Sequence, residues 1–260
     1  MLKRADTGDL SAIRRICDGS IIGCKILCQV LSYGFERNFL EVWLMCENDT
    51  VIAVITKFYD DAAVITTDDE SVDCEQLKLF FSMSGYNTII LSEELALRLG
   101  FESAVIKKGY RFEGEVNGYT SDLLNEDDYY DAYELISREI PGSFKKGRDA
   151  YLSFVSDFTF RQRRSMARGV CTHDGDKLAS VAVTSSETKN AAVISGVACD
   201  SSLRKKGIGK TTVLSIVERL LVDKKTPYVI ALNESAEGFY EHIGFIQREK
   251  IAFCEREKNV

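Results

Sequence analysis

Ala191–Thr212 reads AAVISGVACDSSLRKKGIGKTT, and this stretch decides the fold. The apolar, β-branched run from Ala191 to Ala198 predicts a buried strand. Asp200-Ser201-Ser202 then turns the chain, and Arg204-Lys205-Lys206-Gly207-Ile208-Gly209 leads into a helix. Val213, Ile216, Val217, Leu220 and Leu221 recur there at helical spacing. A strand, a basic glycine-containing loop and a helix start together make an anion site. The unpaired amides of the first helical turn and the helix dipole both favour a phosphate. Gly207 and Gly209 carry no Cβ, so the backbone can approach it closely. A P-loop is excluded, because Arg204 stands where its first glycine is required. A dinucleotide fingerprint fails at its third glycine, a seat held by Thr212.

A second stretch follows at suitable distance. Tyr228-Val229-Ile230-Ala231-Leu232 predicts a strand, and Asn233-Glu234-Ser235-Ala236-Glu237-Gly238-Phe239-Tyr240 a helix that Gly244-Phe245 ends. A last strand is expected around Ile246–Phe253. Arg204-x-x-Gly207-x-Gly209 resembles the acyl-CoA-binding loop of the GNAT acetyltransferase superfamily. Asn233-x-x-Ala236 with Tyr240-x-x-x-Gly244-Phe245 resembles the same family's following segment. The resemblance covers residues 170–253 and extends back to about residue 119.

Bulk properties fit a globular chain of one large or two medium domains. Its 260 residues are 45% hydrophobic and 28% charged. A net charge of −7 speaks against nucleic acid as a general partner. No signal core and no membrane-length apolar run is present. Eight scattered cysteines without such a signal predict reduced thiols in a cytoplasm. No Cys-x-x-Cys occurs and the chain has two histidines, so no metal is expected.

The chain also repeats itself. Asp49–Thr56, Ala62–Ile65, Thr88–Leu91 and Leu99-Gly100-Phe101 run in the order of Asp176–Val183, Ala191–Ile194, Val229–Leu232 and Ile243-Gly244-Phe245. Each set predicts a hairpin, a helix, a strand, a helix and a Gly-Phe turn. The first set is 15 residues shorter between Ile65 and Leu99 than the second between Ile194 and Ile243. The shortening falls on the anion loop and the motif helices, where Thr66–Asp73 is acidic instead. The fold expected is therefore α/β: tandem GNAT-like domains, each a mixed central sheet flanked by helices. Residues 1–115 would be a degenerate domain without the cofactor loop, and 116–260 the domain with it. The first half would serve as a lid, an acceptor wall or a surface for homodimer formation. Helices are expected from Asn125 onward and over Asp149–Met166, with a basic run at Arg161, Arg163, Arg164 and Arg168. Such a run is read first as a solvated face, and second as a lure for an acidic substrate.

The resemblance implies an N-acyltransferase that moves an acetyl group from acetyl-CoA to a primary amine, small or peptidic, within a ternary complex. Arg204, Lys205, Lys206, Gly207, Ile208, Gly209 and Lys210 would hold the pyrophosphate. Val197, Ala198 and Cys199 would pair their backbone with the pantetheine arm and offer an amide to the developing oxyanion. Asn233 would hold the pantetheine, and Tyr240 would be the general acid for the leaving sulfur. Relatives often place a carboxylate base where this chain has Ser195, which has no suitable pKa. Glu187 and Glu234 are the candidate replacements, or a water chain. Cys199 and His242 have no partner near them in sequence and read as packing and surface residues. Two other readings stay open. Ser195 motivates a CoA-binding module without turnover, and Gly209-Lys210-Thr211 a nucleotide-binding α/β protein.

Overall fold

Among the described residues, ten strands and α-helices follow one another in the first half of the chain, and the same ten kinds recur in the second. The first series is β1 (Leu2–Arg4), α1 (Leu10–Cys17), α2 (Ile21–Tyr33), β2 (Leu40–Glu47), β3 (Thr50–Phe58), β4 (Asp61–Thr66), α3 (Cys74–Ser84), β5 (Thr88–Ser92), α4 (Glu93–Arg98) and β6 (Val105–Phe112). The second is β7 (Asp122–Leu123), α5 (Tyr129–Glu139), α6 (Arg148–Gln162), β8 (Gly169–Asp174), β9 (Lys177–Glu187), β10 (Ala191–Cys199), α7 (Ile208–Val222), β11 (Thr226–Ile230), α8 (Glu234–His242) and β12 (Phe245–Glu255). This computed structural model describes residues 1–142 and 147–256.

The chain forms two units. The first comprises Met1–Gly109, Ala231–Glu237 and the chain from Gln247 onward; the second comprises Tyr110–Ile230 and Gly238–Ile246. In the first unit the strands run β1-β2-β3-β4-β5-β12. All neighbours are antiparallel except β4 and β5. Its core gathers Met45, Ile55, Leu77, Phe81, Leu91 and Ala252. Ser20, Asp73 and Ser92 cap α2, α3 and α4 with side-chain oxygens, as such residues do at helix starts.

The second unit repeats the pattern with the order β7-β8-β9-β10-β11. Only β10 and β11 are parallel. Tyr129, Ala132, Tyr133 and Ile136 are buried on one face of α5, as their spacing predicts. They join Leu124, Phe158, Val181 and Val183 in the core, apart from Tyr133, whose ring meets Tyr151 and Phe154. The helix expected from Asn125 begins as a 3₁₀ turn, Glu126–Asp128, closed by a reciprocal capping box between Asn125 and Asp128. Two boundaries differ from the sequence reading. α7 starts at Ile208, within the glycine loop, and β11 stops at Ile230. Among the described residues, no helix is long and apolar enough to cross a membrane.

Candidate active site

The parallel ladder between β10 and β11 is incomplete. It runs from Ala191–Thr226 to Ile194–Val229 and then stops, while β10 continues to Cys199. Backbone groups of Ser195–Cys199 on that side therefore have no strand partner in this ladder, and a polar backbone edge needs one from somewhere. On the other side, the β9 register slips between Ser195 and Ala198, so two residues of β10 oppose one of β9. This is a β-bulge, and it re-aims the amides of Gly196 and Val197. Gly196 has φ +52°, and a Cβ there would fall 2.9 Å from Val183 and 3.0 Å from Ile136. Only glycine satisfies both the backbone and the packing.

Beyond β10 the chain makes a 3₁₀ turn, Ser201–Leu203, fixed by Asp200, whose carboxylate accepts from the Ser202 amide at 3.0 Å. Lys177 at 2.6 Å and Arg138 at 3.0 Å complete its shell. The Lys177 ammonium, with the Ser202 hydrogen bonds, holds the Asp200 carboxyl well below the usual carboxylate range. Lys205 and Gly207 then both take positive φ, +63° and +84°, which curls successive amides toward one side. Gly207 stands at the N-cap of α7, and no side chain caps that helix. Its first amides are the orphan donors of any helix start, here behind a basic loop, with only the Gly209 amide turned toward the Cys199 sulfur. Arg204 is engaged by Glu139 at 2.6 Å and by the Cys199 carbonyl at 3.3 Å. Among the described residues, Lys205, Lys206 and Lys210 have no carboxylate partner.

The second unit thus holds Val197, Ala198, Cys199, the loop from Arg204 to Lys210, Glu187 and Tyr240. Asn233 and Glu234 belong to the first unit. Asn233 accepts from the Ala236 amide at 2.9 Å, the capping contact its position predicts. Tyr240 is 7% exposed, its ring between Phe239 and Phe245. Burial pushes its phenol well above the ordinary tyrosine range, so it stays protonated at any working pH. Burial likewise pushes the Cys199 thiol up, against the opposing pull of Arg204 and the Gly209 amide. Such a thiol is a poor nucleophile. His242 is exposed.

Glu187 is 1% exposed and fully engaged. Arg168 grips it at 2.9 Å through two nitrogens, Lys225 at 2.6 Å, and the Thr184 hydroxyl at 2.8 Å. This geometry ties β9 to the end of α7 through Asp223, a second Arg168 partner at 2.7 Å. We expect Glu187→Ala to cost about 3 kcal/mol, because it strands two part-buried cations. Thermal denaturation should show a midpoint lowered by about 10 °C; an unchanged midpoint would make the cluster dispensable. The basic run is spent in a similar way. Arg161 pairs with Asp157, Arg164 lies over the Phe160 ring at 3.7 Å, and Arg168 serves Glu187.

Three features escaped sequence reasoning. A lone glycine inside a strand pattern was the available sign of the bulge. Glu139 is 65 residues from Arg204 in sequence, and no local pattern links them. The Asp128, Cys171 and His173 grouping is also assembled only by the fold.

Residues 129–245 match the model of the acetyltransferase (GNAT) family. No curated protein matches the chain. Among solved structures, a GCN5-related N-acetyltransferase from Sphaerobacter thermophilus superposes with TM-score 0.63 at 14% identity, covering 100% of this chain and 97% of that one. A tandem GNAT protein from the clavulanic acid biosynthesis pathway gives 0.62 at 12% identity, covering 100% and 99%. A GNAT-family acetyltransferase from Colwellia psychrerythraea gives 0.61 at 13% identity, covering 98% and 100%. At such identities the likeness speaks for the fold alone, and the fold is that of a tandem GNAT protein over the whole chain. Residues 129–245, in the C-terminal half, are thus a GNAT acetyltransferase family segment.

Proposed function

We propose that this protein is a cytoplasmic N-acyltransferase that moves an acetyl group from acetyl-CoA to a primary amine of a small molecule or peptide. The observation that carries the reading is the uncapped start of α7, behind two left-handed loop residues, in the unit whose β10 ladder has opened. An elongated anionic ligand matches both features: its phosphates face the uncapped helix start, and its amide arm can pair with the open strand edge. Acetyl-CoA supplies an activated acyl carbon and a thiolate leaving group. The amides from Lys205 to Lys210 bind the pyrophosphate, with Arg204 exchanging Glu139 for phosphate. A backbone amide of the bulged segment Val197–Cys199 donates to the developing oxyanion. Asn233 and Tyr240 keep the roles that their motif positions imply, and a buried, protonated phenol suits a general acid.

Proton removal from the amine is the second requirement. Ser195 offers no base, and Glu187 already accepts from Arg168, Lys225 and Thr184. Glu234, a water chain, or an amine that arrives neutral completes the step. The same two residues favour the second reading, a CoA-binding module without turnover.

Residues 1–115 are proposed as the half without a cofactor loop, and 116–260 as the half with it. The β3–β4 register is unbroken from Ala53–Thr66 to Phe58–Asp61, so the first half has no counterpart of the bulge. Asp73 caps α3 by accepting the Gln76 amide at 3.0 Å. Asp69 draws in the Thr66 and Ser92 hydroxyls. Carboxylates in these seats repel a pyrophosphate.

Calorimetric titration tests the assignment. Acetyl-CoA should bind with about micromolar affinity, and ATP with magnesium should not. Thiol release against an amine panel then separates the two readings. Binding without release supports the module, and failure of acetyl-CoA to bind removes both.

A further inference from the structure

Outside the region described, β7, β8 and the start of α5 bring four ligand-type side chains together. Asp122 lies directly opposite Cys171 in the β7–β8 ladder, and His173 is two residues further along β8. Alternation puts Cys171 and His173 on one face of the strand, and cross-strand pairing puts Asp122 there too. Asp128 reaches them from the capping box at the head of α5. Its Oδ1 lies 3.1 Å from His173 Nε2, and its Oδ2 accepts from the Cys171 thiol at 3.6 Å. The three ligand atoms all lie within 4.8 Å of one another.

We propose that Asp128, Cys171 and His173 bind a divalent transition-metal ion, zinc by preference, as a clip between β8 and the head of α5. Sulfur, nitrogen and oxygen donors around a tetrahedral zinc lie about 3.3–3.6 Å apart; here the imidazole and the thiol each meet a different Asp128 oxygen, at 3.1 and 3.6 Å, so the carboxylate bridges them from both oxygens. The donor set is borderline-soft, which selects zinc over magnesium or calcium. Asp122 stands 3.7 Å from His173 Nδ1. A carboxylate on that side favours a proton on Nδ1 once the metal takes Nε2, so Asp122 is a positioning residue. Asn125 steadies Asp128 from the other side, its Nδ2 donating to Oδ2 at 2.7 Å. Cys171 is fully buried and the His173 side chain is 32% exposed, so the ion enters past the imidazole, with water as the fourth ligand. Burial, with Asp128 beside it, pushes the Cys171 thiol up to about 12. Binding therefore displaces the thiol proton to solvent as the thiolate bonds the metal. The site is independent of the acyl-transfer reading.

The test is titration of cobalt(II), then zinc in competition, into the chelator-treated full chain. One equivalent of cobalt should give the visible bands of a tetrahedral site and a thiolate charge-transfer band in the near ultraviolet, both lost on adding zinc. Cys171→Ser should remove the charge-transfer band. His173→Ala, a part-exposed change that leaves the core intact, should weaken binding at least tenfold. Asp122→Asn should weaken it about tenfold. No band in the wild type, or a band that survives both Cys171→Ser and His173→Ala, overturns the proposal. In the first case His173 is simply an imidazole held between two carboxylates.

Discussion

Gly209→Asp is expected to abolish acetyl-CoA binding while leaving the fold intact. A Cβ at Gly209 meets only the Cys199 Cβ, at an ordinary 3.6 Å, so no steric strain is introduced. The new carboxylate would sit in the first turn of α7, where the helix dipole stabilises it by about 0.3–1 kcal/mol. It would also occupy the amides that the pyrophosphate needs. Two like charges about 4 Å apart near a protein surface repel by roughly 4 kcal/mol, which corresponds to an affinity loss of about a thousandfold. Calorimetry reads the binding and thermal denaturation reads the fold. Loss of binding with an unchanged or raised melting temperature supports a phosphate at this loop. Unaltered affinity would move the anion site elsewhere and take the function with it.

Tyr240→Phe tests chemistry instead of binding. The phenylalanine keeps the ring contacts with Phe239 and Phe245, and among the described residues the phenol oxygen has no hydrogen-bond partner to lose. Stability should therefore change little. The turnover rate should fall by about 10²–10³, the usual worth of a positioned proton donor, while the KM for acetyl-CoA moves by less than about twofold. Because burial raises the phenol pKa, the wild-type rate should keep its acid through the alkaline range in which the amine becomes neutral. A variant with unchanged turnover would reduce Tyr240 to a core residue.

How much of this was legible in the sequence depends on the range of each interaction. The loop from Arg204 to Gly209 was readable because backbone freedom and orphan amides are local properties of glycine and helix starts. The repeat was readable because β3–β4 and β9–β10 hairpins leave period-two patterns within a few residues. The ion pairs of Glu187 were not legible for the opposite reason. Its partners Arg168 and Lys225 lie 19 and 38 residues away, and nothing in a local pattern announces an ion pair closed by the fold. Asp128 has the same history: its capping role is written in Asn125-x-x-Asp128, whereas its place beside Cys171 and His173 follows from strand pairing. The incomplete β10–β11 ladder had no local sign beyond Gly196.

β12 follows the whole second series in sequence, yet from Gln247 it belongs to the first unit, pairing Ile251–Glu255 with Ser92–Thr88 of β5. Tyr110–Phe112, the end of β6, meanwhile belongs to the second, where Phe112 packs on Phe245 and the Gly244 carbonyl accepts from Glu113 and Gly114. A nascent chain with its first hundred residues outside the ribosome would expose β5 as an open strand edge, a template for unwanted pairing. That edge closes only when β12 emerges, so the first half cannot complete its sheet ahead of the second. Premature termination just before Gln247 would spare the glycine loop and leave the earliest-made half aggregation-prone.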